Sequence, residues 1–507
     1  MDVVQNLALG LLSALTLENL LACFAGVLIG TVTGVLPGIG PTGAMALLLP
    51  LSFGLEPGTG LIILAGIYYG AMYGGSTTSI LVNVPGESTS MVTCFDGYQM
   101  ARKGRAGAAL AVAAIGSWVA GTIGVVGLML FAPPLAKAAL QLGPPEYFAI
   151  GMVGVLLLSN LTGSSFIRSF LMVMVGMMIS TVGLDMLTGQ SRFTFDVVEL
   201  SSGIDLLPIV IGLFGLSEIL LVAARPYDTA ETMKVRFREL YPNRSELKRS
   251  IGPILRGTGI GFPMGLIPGP AAFLSSLISY RLEKRVSKTP DEFGKGAIEG
   301  VAGPESANNA ASAGAMVPLL ALGIPFAPPT ALLLGGLMIH GISPGPLFMT
   351  QHQDLFWLVI ASMYIGNLML LILNLPLVGV FASLTKIPVK LLIPIVVIIM
   401  LLGAYSVNNS VFDLVLLIIF GVIGFFMKQI NFPVAPLVIG IVLGPVVEEG
   451  LRQGLVMADG NFMAFFERPI TAVLLTVCGL ILAKLLYDVY RSLFRSEQAA
   501  KTDNAEW

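Results

Sequence analysis

Charge is what this sequence has least of. Only 11% of its 507 residues are charged, against about a quarter in a soluble globular chain. That is too little to clothe a water-facing surface, and a formal net charge of −2 gives no basic stripe for nucleic acid. Cysteine is nearly absent. Cys23, Cys94 and Cys478 are too scattered for a disulfide framework or a zinc site, and each lies in or beside apolar sequence, where a thiol is a small inert residue. The two histidines, His340 and His352, have no partner motif and fit an interface or a loop. There is no Walker pattern, so ATP drive has no support, and no Ser-His-Asp or zinc constellation, so no enzyme is expected. No Lys or Arg precedes Arg102. A signal-peptide n-region is therefore missing, and the first apolar run is expected to be retained.

What fills the sequence instead is hydrocarbon. Hydrophobic residues make up 55%, and runs such as "AALAVAAIGSWVAGTIGVVGLMLFAPPL" and "ITAVLLTVCGLILAKLLYDVY" match or exceed the ~20 residues that cross a bilayer. The chain reads as an all-α polytopic integral membrane protein with about a dozen transmembrane helices. The expected organisation is a first membrane repeat over 1–224, a cytoplasmic connector over 225–250, a second repeat over 251–490 and a polar tail over 491–507. Within it, 38–54 reads as a hairpin or re-entrant pair, and 58–84, 251–280 and 297–341 as interrupted regions.

The repeat rests on a gapless match. "GVLIGTVTGVLPG" (Gly26–Gly38) aligns with "GTGIGFPMGLIPG" (Gly257–Gly269), placing Gly26, Gly30, Gly34, Pro37 and Gly38 against Gly257, Gly261, Gly265, Pro268 and Gly269. Glycines four apart share one helix face and admit a neighbouring backbone, and Pro-Gly then stops the helix. A second echo pairs "NVPGES" (Asn83–Ser88) with "GIPFAP" (Gly323–Pro328). Charge orients the copies. "LSFGLEPGTG", after the first tip, has no basic residue, whereas "RLEKRVSKTPDEFGKG", after the second, has five. Arg102, Lys103 and Arg105 follow "NVPG", but no Lys or Arg follows "GIPF" before Lys386. Equivalent loops would face opposite sides, so the repeats read as inverted. Inverted repeats with broken helices at matching places point to a secondary transporter.

A break at depth is tolerated where backbone lines a cavity. Helix N-termini there suit a carboxylate, and C-terminal carbonyls suit sodium. The tips Gly38, Ile39, Gly40, Gly269 and Pro270 are therefore candidate substrate contacts. Asn83 joins them, although capping a helix end explains it as well. "PESANNAAS" adds Asn308, Asn309 and Ser312, whose amides and hydroxyl can donate or accept. Hydroxyls of Ser76, Thr77 and Thr78 in "GGSTTS", with Ser306, are candidate ligands for a coupling cation, although such groups often bond back into their own helix. Glu305 reads equally as a deep functional acid and as an aqueous partner of the basic loop 281–296; Glu87 poses the same question. Neither presumed site contains Lys or Arg, so anion recognition would depend on N–H groups and polar side chains.

These motifs resemble the TctA-like large membrane subunit of tripartite tricarboxylate transporters. The likeness is carried by "GVLPGIGPTGAMALLLPLSFGLEP", "YYGAMYGGSTTSILVNVPGES", "DGYQMARKGRAGAAL", "GLIPGPAAFLSSLISYRLEKR", "GKGAIEGVAGPESANNAASAGAMVPLLALGIP" and "LVIGIVLGPVVEEGLRQ", which together span nearly the whole chain. The resemblance implies a bacterial inner-membrane location, a small four-span membrane subunit and a periplasmic solute-binding protein as partners, and uptake of di- or tricarboxylates or related organic acids. It implies drive by an ion gradient, Na+ or H+, with no cofactor and no metal beyond Na+. Phe326-Ala327 departs from the Gly-Ser frequent in the family, which bears on substrate choice. Two rivals stay open: a stand-alone ion-coupled carboxylate carrier without a binding protein, and a channel.

Overall fold

An apolar segment in lipid satisfies its own peptide groups by coiling, and this chain coils almost throughout. The computed structural model describes residues 3–36, 40–161, 166–185, 187–224, 241–375 and 389–503. The first expected tip, 37–39, and most of the expected connector, 225–240, lie outside the described residues.

The helices run α1 (Val3–Ala14), α2 (Leu17–Val35), α3 (Gly40–Leu48), α4 (Pro57–Val82), α5 (Met91–Arg102), α6 (Ala106–Ala139), α7 (Pro144–Leu161) and α8 (Phe166–Ile179). A two-stranded antiparallel hairpin, β1 (Gly183–Leu184) and β2 (Ser191–Arg192), follows. Next come α9 (Leu206–Val210), joined by the π-helical turn Ile211–Leu216 to α10 (Ser217–Ala224). The rest are α11 (Arg244–Gly265), α12 (Ala271–Val286), α13 (Glu299–Leu322), α14 (Pro328–Ile339), α15 (Phe348–Gln351), α16 (Gln353–Asn374), α17 (Val389–Asn408), α18 (Val411–Gln429), α19 (Val434–Met457) and α20 (Pro469–Asp503). Among the described residues six helices are long and apolar enough, by length and composition, to cross a membrane: Leu17–Val35, Ala106–Ala139, Leu206–Ala224, Gln353–Asn374, Val411–Gln429 and Val434–Met457. The architecture is all-α and of membrane type.

Contacts group the chain into two units, Met1–Leu140 with Asp205–Ile430, and Gln141–Ile204 with Asn431–Trp507. In the second, Asp185, just after β1, is tied to Arg452 of α19 (2.9 Å), and Glu146 of α7 to Thr471 of α20 (2.8 Å) and to Arg468 just before it (2.6 Å). The core of the first consists of α4 and α13, each buried on nearly every side. A helix enclosed all round carries no solvent face, which is why serine, threonine, asparagine and glutamate lie inside it.

The glycine stripes explain how these two helices are held. A Cβ added at Gly26, Gly30 or Gly34 of α2 would lie 2.2–2.6 Å from the Ile63, Ile67 or Ala71 carbonyl oxygen of α4. At Gly257, Gly261 or Gly265 of α11 it would meet Gly303, Ala307 or Ala311 of α13 at 2.1–2.3 Å. The matched glycines thus meet matched steps of α4 and α13, backbone on backbone. Both inner helices end alike, α4 on left-handed Asn83 (φ 59°) and α13 on left-handed Gly323 (φ 75°). The loops that follow turn back on the helix breaks. Gly86 packs against the Gly34 carbonyl, and Gly269 N–H donates to Phe326 O (3.0 Å).

Three expectations are corrected. Residues 58–84 are not interrupted: α4 passes through Gly74 and Gly75 unbroken, because those glycines serve close packing, Gly74 against Thr31 and Gly75 against Glu87. "PESANNAAS" is likewise continuous helix, and the interruption of 297–341 comes later, between Leu322 and Pro328. Residues 40–52 form α3 and a 3-10 turn rather than two arms of a hairpin.

Candidate functional site

A cavity of about 480 Å³ lies in the first unit where α3, α4, α5, α12 and α14 meet. Its wall includes Gly40, Pro41 and Thr42 at the start of α3, and Ser88, Thr89 and Met91 at the start of α5. Gly269 to Phe273 at the start of α12, and Ala327 to Pro329 at the start of α14, complete it, with Tyr68 and Met72 of α4 and the Pro85–Glu87 loop. Four helices therefore turn their N-terminal ends toward one space. Each end carries roughly half a positive charge, and none of the lining residues is Lys, Arg or His.

The ends differ in what they can donate. On α12 the first intrahelical bond runs from Leu274 N–H to Pro270 O (2.9 Å), so Ala271, Ala272 and Phe273 N–H have no partner among the described residues. On α14 Pro328 and Pro329 lack an N–H, and Ala327 N–H is given to Thr330 Oγ1 (3.1 Å). The wall residues of that terminus therefore supply field without a free N–H. Glu87 is the one carboxyl on the wall; it accepts from the Thr89 hydroxyl.

Behind the wall lies a polar seam between α4 and α13. Glu305 is fully buried. Ser76 Oγ donates to its Oε2 (2.7 Å), and the Thr93 hydroxyl to its Oε1. It pairs with nothing in the basic stretch 281–296, where Arg256 instead holds Glu283 and Arg249 holds Glu292 and Glu299. Glu305 is thus enclosed within the protein and bonded to hydroxyls, not paired with that stretch. Asn309 Nδ2 donates to Ser117 Oγ (2.8 Å), Asn308 Oδ1 (2.6 Å) and Glu305 O (3.1 Å). Asn308 Nδ2 faces the Glu305 side chain without closing a bond.

The candidate residues thus fall into separate places. Gly40, Gly269 and Pro270 meet on the cavity wall; Gly38 and Ile39 lie outside the described residues. Asn83 is exposed at the end of α4 and off the wall. Asn308, Asn309 and Ser312 are buried behind it; Ser312 bonds Asn308 O (3.0 Å) and reaches the side chain of Tyr68, which does line the cavity. Thr78 and Ser306 bond back to their own helices, at Gly75 O (3.0 Å) and Ala302 O (2.8 Å). Ser76 and Thr77 face a second, smaller chamber. Ala327 lines the cavity, whereas Phe326 pins Gly269 through its carbonyl. Sequence reasoning missed Tyr68, Thr93, Ser117 and Asn374. The last two were visible only as lone polar residues in apolar runs, "AAIGSWVAG" and "LLILNLPL".

Residues 20–439 match the Tripartite tricarboxylate transporter TctA family. A protein of Agrobacterium vitis described as "Uncharacterized 52.8 kDa protein in TAR-I ttuC' 3'region" is 49% identical over 477 residues, covering 94% of this chain and 95% of its own. A second from the same organism, "Uncharacterized protein in TAR-II ttuC' 3'region", is 48% identical over 215 residues, covering 42% of this chain and 89% of its own. No solved structure matches the chain significantly.

Proposed function

This chain belongs to the tripartite tricarboxylate transporter TctA family, and we propose that it is the large membrane subunit of an ion-gradient-driven uptake system for di- or tricarboxylates. The observation that carries the substrate class is the cavity framed by four helix N-termini and free of basic side chains. A carboxylate seated on the unpaired N–H groups of Ala271 to Phe273 gains charge-assisted hydrogen bonds and a favourable dipole field. It meets no fixed cation that would hinder release. Tyr68, Thr42 and Ser88 offer hydroxyls to the rest of a small polar acid.

In this reading the system lies in a bacterial inner membrane. A periplasmic binding protein delivers substrate, a small four-span subunit completes the membrane complex, and the two repeats lie inverted. Na+ or H+ binds with the acid, and the cavity opens alternately to either side.

The test is counterflow in liposomes holding the three-part system, against a panel of carboxylates. Preloaded carboxylate should accelerate entry of labelled carboxylate, and entry should require the binding protein. Entry without the binding protein would favour a stand-alone carrier. Entry indifferent to preloading would favour a channel.

A further inference from the structure

One turn along α4 from Met72, a much smaller chamber opens among α4, α6 and α16. Tyr73, Ser76 and Thr77 of α4, Ser117 of α6 and Asn374 of α16 line it with oxygen, and its volume is about 10 Å³. That admits a single water-sized body.

Asn374, Ser76 and Tyr73 on this wall point their hydrogens elsewhere. Asn374 Nδ2 donates to Leu370 O (2.9 Å), which leaves Oδ1 buried with no donor among the described residues. Asn309, bonded to Ser117 Oγ, leaves its own Oδ1 buried with no donor among the described residues. Neither amide can be turned over to find one, because Leu370 O and Glu305 O only accept. Ser76 commits its hydrogen to Glu305, and Tyr73 commits its own to Asn367 Oδ1 (3.0 Å), so both oxygens have lone pairs to offer.

Charge completes the pattern. Glu305 adjoins the chamber through Ser76, is fully buried, and forms no ion pair with Lys, Arg or His among the described residues. An ionised carboxyl so placed is strongly unfavourable without a counter-charge. No group of three or more His, Cys, Asp or Glu that could hold a metal is found among the described residues, which argues against a transition metal. Neutral oxygens beside a single carboxylate suit a small hard monovalent cation.

We propose that this chamber binds Na+, with Asn374 Oδ1 and the Ser76, Thr77 and Ser117 hydroxyls as ligands and Glu305 as the adjacent counter-charge. The inference rests on the transport reading for its purpose and names the coupling ion within it. An ion there stiffens the Met72–Ser76 turn of α4, which carries Met72 on the cavity wall and sets Gly75 against Glu87.

The test is thermal unfolding of the purified full-length chain in detergent, in NaCl against KCl and choline chloride. Na+ should raise Tm where K+ and choline do not. Asn374→Leu and Ser117→Ala should each raise the Na+ concentration for half the shift roughly tenfold, about 1.4 kcal/mol. Asn374→Asp, which keeps an oxygen there, should retain the shift. Equal Tm in Na+ and choline for the unaltered chain would overturn the proposal and leave a water in the chamber. An unchanged Na+ requirement in both Asn374→Leu and Ser117→Ala would overturn it too. Should either variant fail to fold, the unaltered chain still decides. Carboxylate counterflow without a Na+ shift defeats this inference alone, whereas a Na+ shift without counterflow of any carboxylate defeats the transport reading.

Discussion

At the scale of single residues, glycine divides into two kinds that composition cannot tell apart. Gly261 and Gly259 share α11. A Cβ at Gly261 would lie 2.1 Å from Ala307 O, whereas one at Gly259 has nothing within 4 Å. Gly261→Val should therefore wedge α11 off α13 and greatly reduce the folded protein recovered from membranes. Gly259→Ala should leave recovery intact and stabilise the helix by up to ~1 kcal/mol. Size-exclusion profiles and melting curves of the two variants check both. The spacing of these glycines was legible in the sequence because close approach leaves a period. The partners of Glu305 were not. Thr93 lies 212 residues away and Ser76 229, and no local pattern announces a hydrogen bond across such a distance.

At the scale of elements, the sequence located the breaks better than the spans. Leu266–Pro270 and Gly323–Ala327 are irregular, as Pro-Gly and Gly-Ile-Pro foretold. The error lay in reading an interruption within 58–84 and at "PESANNAAS" too: tertiary enclosure overrides propensity in a helix packed on every side. Gly269, at φ 133°, holds the second tip in a conformation that side chains rarely adopt. Gly269→Leu should abolish uptake while the protein still inserts, as membrane immunoblots set beside uptake assays would reveal. In the other unit, the Leu187 N–H and then Arg452 hold Asp185 at about 2, below the ordinary 3.8. A lowered value means that these bonds contribute fully above about pH 4 and vanish as pH falls toward 2. Acid melting should begin at higher pH in Arg452→Gln than in the unaltered chain, followed by thermal unfolding across that range.

At the scale of the whole molecule, composition alone was enough for the class, since so little charge with so much hydrocarbon leaves only a membrane solvent. The cavity was only half legible. Its helix tips carry proline and glycine, but the convergence of α3, α5, α12 and α14 depends on folding that no linear spacing records. The glycine stripes also constrain how such a protein can move. Where α2 meets α4 and α11 meets α13, main chain is seated in main chain with no side chain between to act as a bearing, so neither pair can slip along its own axis without collision. In the proposed transport cycle each pair would travel as a single rigid body, and the give would fall to the short irregular stretches that join them.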